Sequence, residues 1–172
     1  MKHILSILVQ NRPGVLARVA GLFSRRGYNI ESIAVGTTED PDVSRMIIVV
    51  DAEERIVELI AKNVHKLIDV LKVQNLTHES YIDRELVLIK VNATPRTRSE
   101  IMQIVSIFRA HIVDVSDQSL VVEVTGDEGK IDAIVSLLRP FGIKEMVRTG
   151  RVAMARGAWS DEGQQQRPRV IA

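Results

Sequence analysis

The feature that most constrains the fold of this chain is an order of strand-like and helix-like segments that occurs twice. In the first half, hydrophobic periodicity predicts the order β-α-β-β-α-β. The first predicted helix starts at Pro13 and ends at Gly27, because proline suits the first helical position and glycine the left-handed position after a helix. Apolar residues at helical spacing indicate the second helix: Ile56, Ile60, Val64 and Leu67. The predicted strands are residues 3–9, 28–37, 44–52 and 70–76.

The same order returns in the second half. Both of its predicted helices carry apolar residues at i, i+3, i+4 and i+7. These residues are Ile101, Ile104, Val105 and Phe108 in one helix, and Ile131, Ile134, Val135 and Leu138 in the other. The predicted strands are residues 85–93, 111–116, 119–126 and 142–150. Two such units match the split βαβ or ferredoxin-like motif, in which two helices cover one face of a four-stranded antiparallel sheet. The predicted fold class is therefore α+β, with two tandem ferredoxin-like units.

The predicted units divide the chain into two domains and a tail. We expect the first domain over residues 1–78 and the second over 79–155, with a linker near the sequence THESYIDR. After Gly150 the composition changes to Arg, Gly and Gln. Residues 156–172 are therefore predicted to form a flexible, disordered tail.

Composition excludes several classes of protein. The chain has 172 residues, 45% of them hydrophobic, which is enough to bury a core. Its 23 Lys and Arg residues face 22 acidic ones, a balance that does not indicate a nucleic-acid or membrane surface. The absence of cysteine excludes disulfides, thiolate metal sites and cysteine nucleophiles. No signal peptide and no apolar run of roughly 20 residues is present, so we expect a cytoplasmic protein without a membrane partner.

The topology alone does not decide the function. RNA-binding proteins of this topology stack bases on strand aromatics, but no aromatic residue here falls at the centre of a predicted strand, so we expect no nucleic-acid partner. The sequence contains no phosphate-cradling glycine loop, no nucleophile motif and no metal-binding histidine spacing. We therefore expect neither catalytic residues nor metal ligands. The four scattered histidines are expected at the surface or at strand edges.

The turn at residues 11–14, with the sequence Asn-Arg-Pro-Gly, is the leading candidate for a ligand site. A helix N-terminus offers unpaired N–H groups and a partial positive charge, which favour a carboxylate or a phosphate. Gly14 removes the side chain that would block close approach, and the Asn11 amide can accept from an ammonium group, so the turn suits a zwitterion. Three apolar residues could line a pocket for a short aliphatic side chain: Val15, Leu16 and Ile30. A purely structural interpretation also stays open, because Asn, Pro and Gly are ordinary turn residues.

The corresponding turn of the second unit has a different composition. It reads NATPRTRSE, with no glycine after Pro95 and with Arg96 and Arg98 at the start of the helix. If the first unit holds a ligand at its turn, the second unit is not expected to do so. The two arginines are expected to be solvated, with contact to a partner or an anion as the alternative.

Two short runs at a specific spacing carry a family resemblance: Asn-Arg-Pro-Gly-Val-Leu and Gly-Tyr-Asn-Ile, within ILSILVQNRPGVLARVAGLFSRRGYNIESIAVG. This segment resembles the start of the small regulatory subunit of acetohydroxyacid synthase (AHAS, or acetolactate synthase), whose N-terminal unit is an ACT domain. The resemblance extends through SRMIIVVD, VLKVQNLTHESYIDRELVLIKV and FRAHIVDVSDQSLVVEVTG. It covers nearly everything up to about residue 155 and does not include the tail from Ala158 onward.

The resemblance implies a regulatory subunit without catalytic activity of its own. Such a subunit binds a separate large catalytic subunit, raises its activity, and confers feedback inhibition by a branched-chain amino acid, usually valine. The large subunit joins two pyruvates, or pyruvate and 2-ketobutyrate, using thiamine diphosphate, Mg and FAD. Those cofactors would belong to the partner, and none is expected on this chain.

The resemblance also implies a site between two copies of the chain. In the family, ACT domains pair side by side as a homodimer, and the effector lies between the strand-to-helix turn of one chain and the Gly-Tyr-Asn-Ile segment of the other. Carried onto this sequence, one wall comprises Asn11, Gly14, Val15 and Leu16, and the other comprises Asn29 and Ile30. A free-standing ACT-type amino-acid sensor and a small enzyme remain alternatives. The sequence does not distinguish valine, leucine and isoleucine, which differ only by a methyl group or its position, and it does not define assembly beyond a dimer.

Overall fold

The computed structural model describes residues 1–157 as two units, each built on an antiparallel sheet with two helices packed on one face. This arrangement confirms the predicted α+β class with two tandem ferredoxin-like units. The predicted disordered tail lies, from residue 158 onward, outside the described residues. Within residues 1–157, no helix is both long enough and apolar enough to cross a membrane.

The first unit follows the predicted order. Its strands are β1 (Lys2–Gln10), β2 (Ile30–Thr37), β3 (Val43–Asp51) and β4 (Val70–Asn75), and its helices are α1 (Val15–Arg25) and α2 (Glu54–His65). The strands lie in the order β2-β3-β1-β4, so β2 and β4 form the edges of the sheet. Alternate residues of β1 point toward the helices, and Leu5, Ile7 and Val9 are buried there against Val19 of α1. The apolar residues that recur at helical spacing in the sequence thus pack against the helix-facing side chains of the central strand.

Helix α1 ends as predicted but begins later. At its end, Gly27 has φ +68, its N–H bonds to the Ser24 carbonyl at 3.1 Å, and the Tyr28 N–H bonds to the Phe23 carbonyl at 3.0 Å. This pair of bonds is the Schellman arrangement. The predicted start at Pro13 is wrong, because Gly14 has φ +85 and the helix can only begin after it, at Val15.

The second unit repeats the first and adds one strand. It contains β5 (Tyr81–Asn92), α3 (Arg98–Ile107), β6 (His111–Val115), β7 (Ser119–Gly126), α4 (Glu128–Leu138), β8 (Ile143–Arg148) and β9 (Val152–Ala155). The main sheet has the order β6-β7-β5-β8. The added strand β9 pairs with residues 81–84, the beginning of β5, which the sequence places in the linker.

The two units share a small apolar core. Ile4, Ile47 and Val49 lie on the face of the first sheet that points away from its helices. Leu76, Tyr81 and Ala153 cover them, so the connecting segment and β9 seal this face. The units therefore meet through buried side chains and are not joined by the connecting segment alone.

Candidate functional site

The turn between β1 and α1 is anchored to the turn between β2 and β3. The Asn11 N–H donates to the Asp42 carbonyl at 2.7 Å, and the Asn11 side-chain Nδ2 donates to the Pro41 carbonyl at 2.9 Å. Because the nitrogen of the Asn11 amide is engaged, its oxygen remains available as an acceptor. Residues 11–14 are all exposed. The fold therefore fixes the turn while leaving it open to solvent.

Gly14 is the residue on which the shape of this turn depends. Its φ of +85 lies in the left-handed region, which residues with a β-carbon adopt at a cost. It occupies the N-cap position of α1, where no side chain of the described part of the chain caps the helix. A glycine is therefore needed here for its backbone conformation, independently of any ligand.

The start of α1 has unpaired hydrogen-bond donors. Among residues 1–157, the N–H groups of Gly14, Leu16 and Ala17 have no acceptor in the chain, and the first turn of the helix contains no acidic residue. These donors and the positive end of the helix dipole point the same way. The arrangement suits a small anionic group such as a carboxylate.

Arg18 adds a full positive charge beside the same turn. Its Nη1 is hydrogen-bonded to the carboxylate of Asp69, whose side chain is only 10% exposed. Its Nη2 lies 3.7 Å from the position that a β-carbon at Gly14 would occupy. The sequence assigns Arg18 only to the solvent side of an amphipathic helix. Its pairing with Asp69 joins residues distant in the sequence, so no local pattern could reveal it.

The two apolar members of this wall differ in accessibility. Val15 is 3% exposed and packs in the core of the first unit, so only its backbone can reach a ligand. Leu16 is 48% exposed beside the turn. Of these two side chains, Leu16 is the one that can contact an aliphatic group in solution.

The second predicted wall lies at the other end of α1. Asn29 is exposed and Ile30 is half-buried, and both follow the glycine that ends the helix. Since α1 has 11 residues, the helix separates them from the turn at residues 11–14 by about 16 Å. Within one chain, the structure therefore does not bring the two walls together.

The equivalent turn of the second unit has the same backbone anchoring but different residues. Backbone bonds from Asn92 to Gly142 and from Ala93 to Gln118 match those from Gln10 to Asp69 and from Asn11 to Asp42. By this register, the positions of Asn11 and Gly14 are occupied by Ala93 and Arg96.

Its own side chains bond to this second turn. The Thr94 N–H donates to Thr97 Oγ1 at 3.0 Å. Arg98, expected to be solvated, is half-buried and donates through Nη2 to the carbonyls of Ser116 at 2.7 Å and Asp117 at 3.2 Å. The second turn thus lacks both the glycine and the free side-chain amide oxygen of the first.

One histidine departs from the expected surface position. His3 lies on the central strand β1 and is completely buried, with its ring 6.4 Å from that of His78. The His78 ring contacts Glu54 at 2.5 Å between Nε2 and Oε1. No group of three or more potential metal ligands is assembled within residues 1–157. An apolar run containing one histidine does not reveal which face that histidine occupies.

Comparison with known proteins identifies relatives of both units. A family model described as AHAS small subunit-like ACT domain matches residues 5–72, and one described as the small subunit of acetolactate synthase matches residues 84–157. A probable acetolactate synthase small subunit of Archaeoglobus fulgidus is 57% identical over 157 residues, covering 91% of this chain and 98% of the relative. The acetolactate synthase small subunit of Bacillus subtilis is 54% identical over 158 residues, covering 91% and 92%.

A solved structure matches the whole fold. The crystal structure of the acetolactate synthase small subunit from Thermotoga maritima superposes with a TM-score of 0.83 at 42% sequence identity. The match covers 92% of this chain and 99% of the Thermotoga chain. Both units, in the same arrangement, therefore occur in that protein.

Proposed function

Because this chain belongs to the family of acetolactate synthase small subunits, we propose that it activates a catalytic large subunit and makes that subunit sensitive to feedback inhibition by valine. The family membership itself gives the chain a regulatory role beside a large subunit. In this role the chain would have no synthase activity of its own. Thiamine diphosphate, Mg and FAD would then be held by the partner, and both proteins would act in the cytoplasm.

The effector site that we propose begins with a carboxylate at the start of α1. The unpaired N–H groups of Leu16 and Ala17 can donate to it, and Arg18 supplies a nearby positive charge. The side-chain oxygens of Asn11 and Asn29 are suited to accept from the ammonium group. Leu16 and Ile30 supply apolar surface for the isopropyl group.

A homodimer would bring the two walls together. Strand β2 is an edge of the first sheet, with Ile30 at its beginning. Its end lies at the same end of the sheet as the turn after β1, because Thr37 pairs with Ser44 and Gln10 with Val43. If two β2 edges pair antiparallel, the beginning of one strand lies beside the end of the other. Each turn would then face Asn29 and Ile30 of a second copy.

The proposed mechanism is a shift between two arrangements of the complex. Valine can inhibit only if it binds the inhibited arrangement more tightly than the activating one. If valine changes the affinity between the two subunits by some factor, the catalytic subunit changes the affinity for valine by that same factor. A site between two chains provides this link, because ligand binding depends on the geometry of the dimer.

The observation that carries the effector assignment is the difference between the two turns. The scaffold is the same, but among the described residues only the first turn has a left-handed glycine, a free side-chain amide oxygen and a following helix whose first turn contains no acidic residue. The second turn, which is bonded to its own side chains, leaves the second unit available for contact with the catalytic subunit.

The proposal is tested with the purified chain and its cognate large subunit. We expect a dimer by light scattering, calorimetric binding of valine, and no acetolactate formation by the chain alone with all cofactors supplied. Addition of the chain should raise the activity of the large subunit, and valine should then lower it. Valine binding without any complex with a large subunit would instead indicate a free-standing sensor. Acetolactate formation by the chain alone would contradict the proposal.

A further inference from the structure

Five charged side chains bridge the two units at the beginning of β1 and β2. Lys2 Nζ lies 2.5 Å from Glu31 Oε1 in the first unit and 2.5 Å from Glu128 Oε1 in the second. Arg151 continues the chain of contacts, with Nη2 at 2.7 Å from Glu128 Oε2 and Nε at 3.4 Å from Asp83 Oδ2. We call these five residues the inter-unit charge cluster.

The cluster combines exposed and largely buried charges, and the side chains of Lys2, Glu31 and Glu128 are 41%, 37% and 37% exposed. The side chains of Arg151 and Asp83 are only 13% and 16% exposed. The hydrogen bond to Glu128 and then that to Glu31 raise the pKa of Lys2 to about 12, and the bond from Lys2 lowers the pKa of Glu128. Both groups are therefore fully charged at neutral pH. Loss of Glu128 would leave the largely buried Arg151 with one counterion fewer, which is costlier than the loss of a partner at a fully exposed pair.

Backbone contacts accompany the charges. The Arg151 N–H donates to Ser32 Oγ at 2.9 Å. Gly150 has φ +82, and a β-carbon at this position would lie 2.9 Å from both the Ile33 carbonyl oxygen and Ser32 Oγ. The second unit thus approaches β2 so closely that only a glycine fits at the contact.

The same strand carries part of the proposed effector site. The pairing of β2 with β3 is irregular between Ile30 and Ser32, which makes Glu31 the bulged residue. Asn29 and Ile30 directly precede Glu31 and Ser32 in the chain. A ligand that repositions Ile30 must therefore also act on Glu31 and Ser32, the two first-unit residues that contact Lys2 and Arg151.

We propose that the inter-unit charge cluster is the coupling element through which an effector bound beside Ile30 acts on the second unit and, through it, on the catalytic partner. The inference rests on the proposed function and assigns the path of its regulation. The cluster and its backbone contacts join the effector strand to the second unit, while the shared apolar core holds the units together on the neighbouring surface. Weakening the cluster should therefore uncouple the units without separating them.

The test uses reconstituted holoenzyme with Glu128→Gln in the small subunit. Lys2→Met is a second variant, which removes the same inter-unit ion pair from the side of the first unit and decides the question if the first variant does not fold. Glu145→Gln is the matched control, because Glu145 pairs with Lys90 at 3.9 Å within the second unit alone. For each protein, calorimetry gives the valine Kd of the free small subunit, and an inhibition curve gives the holoenzyme activity at zero and at saturating valine.

We expect both cluster variants to bind valine within about twofold of the unmutated Kd and to activate the large subunit. The ratio of uninhibited to fully inhibited activity should fall by about 2- to 30-fold, the range found when residues between coupled sites are changed. The control should retain the full ratio. An unchanged ratio in both variants overturns the inference, and so does loss of valine binding by the free variants. If the unmutated subunit binds no branched-chain amino acid, the proposed function fails and this inference fails with it.

Discussion

Replacement of Gly14 by aspartate would place a carboxylate where the proposed effector carboxylate is held. The new β-carbon would lie 3.7 Å from Arg18 Nη2, and no other heavy atom of residues 1–157 outside the adjoining residues is within 4 Å. The aspartate can therefore occupy the space beside Arg18 and the open amides of α1. In that position, it acts as an intramolecular competitor of the ligand.

The size of the effect follows from two opposing charges. Two carboxylates about 4 Å apart repel by about 1 kcal/mol in bulk water and about 4 kcal/mol at an effective dielectric constant of 20. These limits correspond to a loss of affinity of about 5-fold to about 1,000-fold. The left-handed φ costs a residue with a β-carbon about 1–2 kcal/mol of stability, with aspartate and asparagine among the most tolerant. A negative charge in the first helical turn offsets about 0.3–1 kcal/mol of this cost, so the variant should remain folded.

Gly14→Asn is the matched control for the charge. Asparagine has nearly the same size and tolerance of the left-handed region as aspartate, but it is neutral. We expect both variants to activate the large subunit. Only Gly14→Asp should lose at least about fivefold in valine affinity relative to Gly14→Asn, as measured by calorimetry and by the inhibition curve of the holoenzyme. Equal affinities for the two variants would show that no anion is held at this turn.

Three further outcomes follow from the structure. Arg109 has φ +50 at the position equivalent to Gly27. Arg109→Gly should therefore raise the free energy of unfolding in urea by about 0.5–1 kcal/mol, whereas Gly27→Ala should lower it. A lower free energy of unfolding for Arg109→Gly would contradict this reasoning. Because the pKa of Glu128 is lowered from its ordinary 4.5, its contribution is present above that pH and lost as the pH falls through the folded value. The Tm difference between Glu128→Gln and the unmutated protein should therefore be constant near neutral pH and shrink below about pH 4.5; a difference that grows in acid would refute it. A fragment of residues 1–78 should dimerise and bind valine. Its urea midpoint should be lower than that of the full chain, because Tyr81 and Ala153 no longer cover its sheet. A folded, dimeric fragment that binds no valine would show that the second unit forms part of the site.

The order of elements was predictable because each helix and each central strand carries its own periodicity. Val15, Val19 and Phe23, spaced four apart in the sequence, all lie in the core of the first unit. The end of α1 was also local information, since Gly27 terminates the helix through bonds to residues only a few positions away. The start of α1 was not predicted correctly, because a proline and a glycine stand next to each other there and either one can precede or begin a helix. The left-handed Gly14 excludes Pro13 from the helix.

Features that depend on distant parts of the chain left no signal in the sequence. Strand β9 has four residues and is defined by its pairing with residues 81–84, which precede it by most of a unit. Glu31 and Glu128 each appear as ordinary solvated charges until the fold brings both to Lys2. Only part of the candidate site was predictable from the sequence. The turn at residues 11–14 is formed by neighbouring residues, whereas Arg18 reaches Asp69 only in the folded unit.

Strand β2 links the separate parts of the proposed mechanism. It is an edge strand available to a second copy, it begins at Ile30 of the proposed effector wall, and it contacts Arg151 of the second unit through Ser32. In the proposed arrangement, a ligand bound at the junction of two β2 edges changes dimer geometry and the inter-unit contact at once, because one strand carries both. No separate moving element is then needed between effector and second unit. The bulge at Glu31 bends this strand between its beginning, where the proposed effector wall lies, and its contact with the second unit.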